Sequence, residues 1–328
     1  MINAAIVGLG WWGKNLASAI QGKSSEIRFT TGVTQELAET QAYAAQNGLT
    51  LTDRFEDVLA DPAIQAVVLA TPHTLHASQI VAAAEAGKHV FCEKPLSLNA
   101  ADARRAIAAC ESRKLVLGVG QNKRFWPSMS NLRQVVASGV LGQLLHLEGH
   151  YSNQNSSNFF SEWRDSPVES PAGGLTGTGI HIIDAFVAMA GPAAEVSAQV
   201  NSLRSGKDPR DATSVVVRFA SGIGGYFAMV RATPFYWRVH VFGDEASAEA
   251  VSETELVIRH RGGRIERHVY PLVDSLKAEL ETFAKAIPTP ARAATPYPIS
   301  TAEMFNTIAL FEAVVSSIGS QQAVQVAA

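Results

Sequence analysis

The sequence predicts an α/β fold in two parts, a doubly wound parallel sheet followed by a larger, mostly antiparallel one. Three observations carry this. Up to about Gln121, short apolar strand signals alternate with helical periodicity, the mark of parallel βαβ units. The runs at 66–70 (AVVLA) and 115–120 (LVLGVG) are continuously apolar, as in strands covered on both faces. Beyond Gln121, strand signals follow one another across glycine-bearing turns such as Ser221-Gly222 and Gly262-Gly263, the pattern of antiparallel neighbours.

In order, strands are expected at 2–7, 27–33, 66–70, 88–92 and 115–120. Helices are expected between them at 11–21, 36–46, 74–86 and 99–113. Gly87 suits the end of the third helix and Asn99 caps the fourth. A helix at 127–138 and a strand at 144–151 open the second part. A polar stretch of unusual length, SNQNSSNFFSEWRDSPVESPAGG, comes next, and its length marks it as functional or mobile. Then follow a helix at 180–190 and strands at 196–203, 214–219, 224–230, 237–242, 256–259 and 265–270. Helices at 275–286 and 301–317 close the chain.

The 328 residues suit two domains. With 47% apolar and 17% charged residues, burial is ample and disorder is not expected. A net charge of −3 provides no basic field for nucleic acid, and no apolar run is long enough to span a bilayer. The two cysteines, Cys92 and Cys110, form neither a metal motif nor a disulfide framework, so no metal is expected. The N-terminus lacks the pattern of a signal peptide, and a cytoplasmic location is the expectation.

Four motifs carry chemistry. Gly8-Leu9-Gly10-Trp11-Trp12-Gly13 follows the first strand and opens the first helix. That context permits a tight turn, close backbone approach to a pyrophosphate, and phosphate on a helix N-terminus. The plainer alternative is a glycine turn without a ligand. The second strand ends at Thr34-Gln35, where an NAD site usually has an acid for the ribose. Glu36 is next but reads as the first turn of a helix. With no acid to repel a 2′-phosphate and no arginine to attract one, the cofactor is NAD or NADP, tilted slightly to NADP.

The second motif, Thr71-Pro72-His73-Thr74-Leu75-His76, ends a buried strand, where ligands of doubly wound sheets sit. Thr71, His73 and His76 face the dinucleotide in one reading; in the other His76 merely begins a helix. The third is Glu93-Lys94-Pro95, at the end of another strand. Desolvation and a neighbouring oxidised nicotinamide both disfavour the ammonium form, bringing Lys94 towards about 7–8, where it accepts a proton from an alcohol. The alternative is a lysine snorkelling at a strand end. The fourth is the glycine cluster from Gly173 to Gly179, leading to His181 and Asp184. These two lie three apart on one helix face, so that Asp184 holds His181 for proton transfer, or His181 is simply a core histidine.

GLGWWG, TPHTLH, AGKHVFCEKP and GLTGTGIHIID, in this order and spacing, resemble the glucose–fructose oxidoreductase, inositol dehydrogenase and rhizopine-catabolism family, Gfo/Idh/MocA. The stretch Gly120-Gln121-Asn122-Lys123-Arg124-Phe125 and the pair Trp163-Arg164 extend the resemblance over nearly the whole chain. It implies a Rossmann domain at 1–121 and, at 122–328, an α/β domain for substrate binding and oligomerisation whose open sheet face forms a homodimer or homotetramer. It also implies a catalytic Lys94 assisted by His181, with hydride passing between nicotinamide C4 and a sugar, cyclitol or related polyol. Asn122, Arg124, Trp163, Arg164, Thr178, His181 and Asp184 are the expected substrate contacts. The family's aspartate four residues before the histidine is Gly177 here, which leaves Thr176 or Thr178 to supply a hydroxyl. Two rivals remain: a dihydrodiol or imine substrate, favoured by an apolar pocket at Phe159, Phe160 and Trp163, and a non-catalytic dinucleotide-sensing regulator.

Overall fold

The computed structural model describes residues 1–153, 163, 166–202, 212–231, 233–290 and 292–328. Arg164, Phe159 and Phe160 lie outside them. Close contacts divide the chain into two units. The first comprises Met1–Ser97, Ala101–Asn122 and Asp274–Thr301; the second comprises Leu98–Ala100, Lys123–Val273 and Ala302–Ala328.

The first half of the chain runs β1 (Ile2–Val7), α1 (Trp11–Ile20), β2 (Ile27–Val33), α2 (Leu37–Asn47), β3 (Thr50–Thr52), α3 (Phe55–Ala60), β4 (Ala66–Leu69), α4 (His76–Glu85), β5 (His89–Glu93), α5 (Ala100–Glu111) and β6 (Leu117–Gly120). The six strands pair in parallel in the order β3-β2-β1-β4-β5-β6. The order reverses between β1 and β4, so the carboxyl ends of these strands form the edge at which a doubly wound sheet takes ligands. Every residue of β4 is buried, as its unbroken apolar run requires.

The sequence reading misses β3 and α3, which are too short for periodicity to register. It also places the fifth strand one residue early. The Lys88 Nζ instead donates to the carbonyls of Asp61 (2.6 Å) and Ile64 (2.8 Å) and leaves the strand to begin at His89.

The second half runs α6 (Pro127–Ala137), β7 (Leu144–Asn153), α7 (Ile180–Ala190), β8 (Ala193–Asn201), β9 (Ala212–Phe219), β10 (Gly224–Arg231), β11 (Tyr236–Gly243), β12 (Ala246–Ala250), β13 (Glu255–His260), β14 (Ile265–Val269), α8 (Ser275–Ala286), α9 (Thr301–Ser320) and β15 (Val324–Gln325). Nine strands pair in the order β14-β13-β12-β11-β7-β10-β9-β8-β15. Only the β7–β10 pairing is parallel. β12 escapes sequence detection because ASAEA lacks the β-branched and aromatic residues that announce strands.

Helix α7, IHIIDAFVAMA, is apolar nearly all round and almost wholly buried in the core of the second unit. Its seat on the sheet is made by an absent side chain. A Cβ on Gly149 of β7 would stand 2.6 Å from Ile182 and 3.0 Å from Phe186, and one on Gly225 of β10 would stand 3.2 Å from Phe186. Phe186 therefore lies over bare backbone, and burying a ring of that size stabilises the fold by about 1.5–3 kcal/mol.

The units depart from the boundary drawn from sequence: Asn122 falls in the first, Leu98–Ala100 in the second, and the largest difference is at 274–301. Residues 274–301 return to the first unit, because the apolar stripe of α8 fits its core. Leu280, Phe283 and Ala284 join that core, and the Phe283 and Phe91 rings meet edge-on at 5.6 Å. A boundary read along the chain does not see a helix that comes back.

Candidate functional site

The glycine loop between β1 and α1 divides its labour. Gly8 has φ +93°, and a Cβ there would lie 2.6 Å from the carbonyl oxygen of Ala70. A Cβ on Gly13 would meet the carbonyl oxygen of Gly8 at 1.9 Å, so this glycine lets helix and loop touch. Gly10 is different: nothing lies within 4 Å of where its Cβ would be. It precedes α1, and no side chain caps that helix. Open space beside uncapped backbone N–H groups is what a pyrophosphate needs, so the residues present fit a dinucleotide. Trp11 stands exposed in the first turn; Trp12 packs on the core, its Nε1 without a hydrogen-bond partner among the described residues.

At the end of β2 the structure departs from expectation. Glu36 is not in the helix but immediately before it, and its Oε2 accepts a 2.8 Å bond from the buried Thr34 hydroxyl. The N–H of Glu36 donates back to the Thr34 Oγ1 at 3.2 Å. An acid therefore does stand beside this strand end. Gln35 is exposed, and its amide donates to the Asp53 carbonyl.

The ends of β4 and β5 hold the remaining residues of the first unit. The Thr71 hydroxyl donates to Gln79 Oε1 of α4 at 2.6 Å, which leaves its lone pairs to accept. Pro72 leads into a single 3-10 turn, His73–Leu75, in which His73 is buried. The His76 ring is wholly enclosed, with Nδ1 2.7 Å from the Pro95 carbonyl oxygen and Nε2 3.0 Å from that of Thr71. Both ring nitrogens thus address backbone.

Glu93 is buried, and its Oε2 accepts from the Lys94 N–H at 3.2 Å. Its carboxylate lies where a Cβ on Gly120 would be, 2.7 Å from Oε1, so the glycine of β6 makes room for it. Lys94 follows, half-buried, with a cis peptide bond to Pro95. Burial and the Glu93 charge push the Cys92 thiol well up, and burial pushes Cys110 to about 12, so neither is a ready nucleophile. Asn122, expected to touch substrate, donates to the Ser275 hydroxyl at 3.3 Å, and both side chains are buried.

In the second unit the glycine cluster becomes one π-helical turn, Leu175–Gly179, running into α7. Such turns concentrate at functional sites. Thr178 and His181 are buried here, and the Thr176 Oγ1 accepts from the Ala172 N–H at 3.4 Å.

Asp184 does not take up the expected task of orienting His181. Its two carboxylate oxygens receive Arg124 Nε at 2.6 Å and Nη2 at 2.7 Å, and Arg124 Nη1 reaches Glu303 at 2.6 Å. Burial pushes the Asp184 carboxyl up, and the two Arg124 bonds oppose it. Burial also works against the Arg124 charge, but Asp184 and Glu303 outweigh it and hold the guanidinium above its ordinary value. Arg124 and Asp184 are thus committed to each other.

The residue between Asn122 and Arg124 behaves otherwise. Lys123 Nζ lies 3.8 Å from the centre of the Trp126 ring and 5.8 Å from that of Tyr151, and Tyr151 lies 6.3 Å from the His181 ring. Trp237 and the exposed Phe235 complete this aromatic group, at 5.3 and 6.0 Å from Tyr151. Burial pushes the Tyr151 hydroxyl up to about 12, so it keeps its proton. Burial likewise raises Glu253, against the pull of Lys123. Trp163 is half-buried.

Among the described residues, no helix is long and apolar enough to cross a membrane, and no group of three or more His, Cys, Asp or Glu is placed to hold a metal.

Comparison with known proteins follows the same division. Residues 2–121 match the profile of the GFO/IDH/MocA oxidoreductase family, NAD-binding Rossmann fold, and residues 129–249 match the GFO/IDH/MocA C-terminal domain. Myo-inositol 2-dehydrogenase of Thermotoga maritima is 31% identical over 252 residues, which is 70% of this chain and 72% of that protein. The chain belongs to the Gfo/Idh/MocA family.

Bovine (Bos taurus) trans-1,2-dihydrobenzene-1,2-diol dehydrogenase is 27% identical over 72% of this chain and 70% of its own length. An uncharacterised oxidoreductase of Schizosaccharomyces pombe is 30% identical, but over only 51% of this chain and 45% of its own. The chain thus spans about half the length of some of the curated relatives it matches. Among solved structures, a levoglucosan dehydrogenase in complex with NADH and levoglucosan superimposes with a TM-score of 0.85 at 24% identity, covering 100% of both chains. At that identity the likeness fixes the fold: a parallel Rossmann sheet and a mixed, mostly antiparallel nine-stranded sheet.

Within this Gfo/Idh/MocA chain, the glycine loop, Thr71–His76 and Glu93–Pro95 follow the strands β1, β4 and β5, and His181 lies in the first turn of α7. No sequence motif singles out Trp126, Tyr151 or Phe235, and Lys123 stands in the sequence only as the cation between Asn122 and Arg124.

Proposed function

We propose that this protein is an NAD-dependent dehydrogenase or reductase exchanging hydride between nicotinamide C4 and a secondary alcohol or ketone of a sugar, cyclitol or related polyol. One observation carries the reading. Lys94 stands half-buried at the end of β5, on the sheet edge that also holds the open Gly10 loop. When bound, the nicotinamide accepts or returns the hydride of the substrate carbon. Lys94 takes the hydroxyl proton in oxidation and gives it back in reduction, and Glu93 holds the Lys94 backbone through its N–H. His181 is assigned the assisting proton transfer, and its buried setting at the start of α7 supports that role.

The proposed cofactor is NAD, against the tilt of the sequence reading. Glu36, held by Thr34 at the end of β2, favours a ribose hydroxyl and repels a 2′-phosphate. The aromatic group around Tyr151 gives substance to a second substrate class. Aromatic faces stack on the C–H face of a sugar ring and equally on a cyclic dihydrodiol.

For assembly, the sheet face turned away from α7 is the proposed contact with a second copy. It exposes Val216, Tyr226 and Tyr236 beside a chain of ion pairs, Glu148–Arg238–Glu249–Arg259, each at 2.7 Å.

The test is a panel of polyols, cyclitols, sugars and dihydrodiols with NAD, followed at the nicotinamide absorbance. Lys94→Ala should cost about 10³-fold or more in turnover while NADH affinity stays within about threefold. Equal loss of both makes the lysine a dinucleotide clamp. Tight NAD binding with no turnover of any substrate favours a dinucleotide-sensing regulator instead.

A further inference from the structure

His76 is a titratable residue that the proposed chemistry leaves unused. It opens α4, yet its ring is completely buried and spans two loops that leave adjacent strands. One loop follows β4 and supplies the Thr71 carbonyl; the other follows β5 and supplies the Pro95 carbonyl. A carbonyl oxygen can only accept. A neutral imidazole carries one N–H, so it satisfies one of these carbonyls and turns a lone pair on the other. At 2.7 and 3.0 Å that second contact is repulsive, and an enclosed ring admits no water to relieve it. Only the imidazolium donates to both.

We propose that His76 is a positioning residue which, as an imidazolium, ties the Thr71 carbonyl to the Pro95 carbonyl and so fixes the backbone from which Lys94 projects. This rests on Lys94 being the proton acceptor. The titratable groups on the joined loops are His73, whose ring meets that of His76 edge-on at 5.7 Å, together with Glu93 and Lys94. His73 competes for no acceptor named here, since both carbonyls face His76.

The two bonds can be separated. Asn places its amide where Nδ1 sits and keeps the Pro95 bond; Gln reaches the position of Nε2 and keeps the Thr71 bond. His76→Asn cuts the tie to Thr71 but leaves the Pro95 loop held, so it should lower kcat measurably, by about tenfold. His76→Gln should lose about a hundredfold, the cost of a catalytic group displaced by about an ångström. NADH affinity should stay within about threefold in both, and their melting temperatures should match. Equal activity loss in the two variants, or losses that follow NADH affinity, would overturn the positioning role. Nitrogen-15 NMR of the ring near neutral pH, which needs no substrate, should find both Nδ1 and Nε2 protonated. A single unprotonated nitrogen overturns the imidazolium bridge. Failure of the underlying reading looks different: Lys94→Ala would then leave turnover intact whatever the His76 ring does.

Discussion

In the first unit, the buried His76 meets two backbone carbonyls and Glu93 accepts from the N–H of Lys94, while Thr71 and Asn122 meet side chains. In the second, the charged groups meet other side chains, Asp184 with Arg124, Arg124 with Glu303, and Lys123 with the faces of Trp126 and Tyr151, while Thr176 accepts from the Ala172 N–H. The difference is one of reach along the chain. His76 and Pro95 are 19 residues apart, within one β-α-β unit; Arg124 and Glu303 are 179 apart. A backbone-held group inherits its geometry from the local fold, whereas a side-chain-held group depends on partners that meet only when the whole unit is assembled.

The ion triad is where this comparison breaks most visibly. Asp184→Ala leaves a buried guanidinium with Glu303 alone, and should destabilise the protein by about 3–5 kcal/mol in urea titrations. An Arg124→Met/Asp184→Leu double variant should recover most of that loss, because an apolar pair of similar bulk avoids the desolvation cost. If the double variant regains stability but not turnover, the pair touches substrate after all, and the original expectation for these two residues returns.

A smaller effect tests the strand-end side. Glu36→Ser removes the carboxylate beside Thr34 and should shift the ratio of kcat/KM for NAD over NADP by about tenfold towards NADP. An unchanged ratio would remove Glu36 from cofactor choice.

The smallest effect concerns the open sheet face. Burial lowers His240 to about 4 from 6.5, against the pull of Glu249. The folded protein thus holds it neutral while the unfolded chain takes up a proton near 6.5. Its contribution is present above that value and is lost as pH falls from about 6.5 towards 4. His240→Asn should therefore flatten the fall in melting temperature over that window. An equally steep fall would place the sensitivity elsewhere.

Legibility followed the same line. The strand–helix alternation and the GLGWWG, TPHTLH and EKP motifs were readable because each rests on local chain geometry. Glu36 reads from sequence as the first turn of a helix, and the structure sets it one residue earlier, at the N-cap of α2, a difference below the precision of a pattern-based boundary. The pairing of Arg124 with Asp184 is not written in the sequence, where the family resemblance implies only that both lie near the substrate. The setting of Lys123 is only half legible, since Trp126 is three residues on but Tyr151 comes from β7. The return of α8 to the first unit was invisible for the same cause.

The bare backbone under Phe186 has a consequence for anyone reshaping this protein. Gly149 and Gly225 hold no chemistry and lie on strands remote in sequence from the histidine, yet they set how deep its helix rests. A methyl on Gly149 would press on Ile182 at 2.6 Å and should shift α7, the helix that carries His181, whereas one on Gly225 would crowd Phe186 at 3.2 Å and ask for a smaller adjustment. Mutational tolerance around such a centre is thus rationed by two missing atoms in the floor beneath it, and a survey confined to polar residues would never find them.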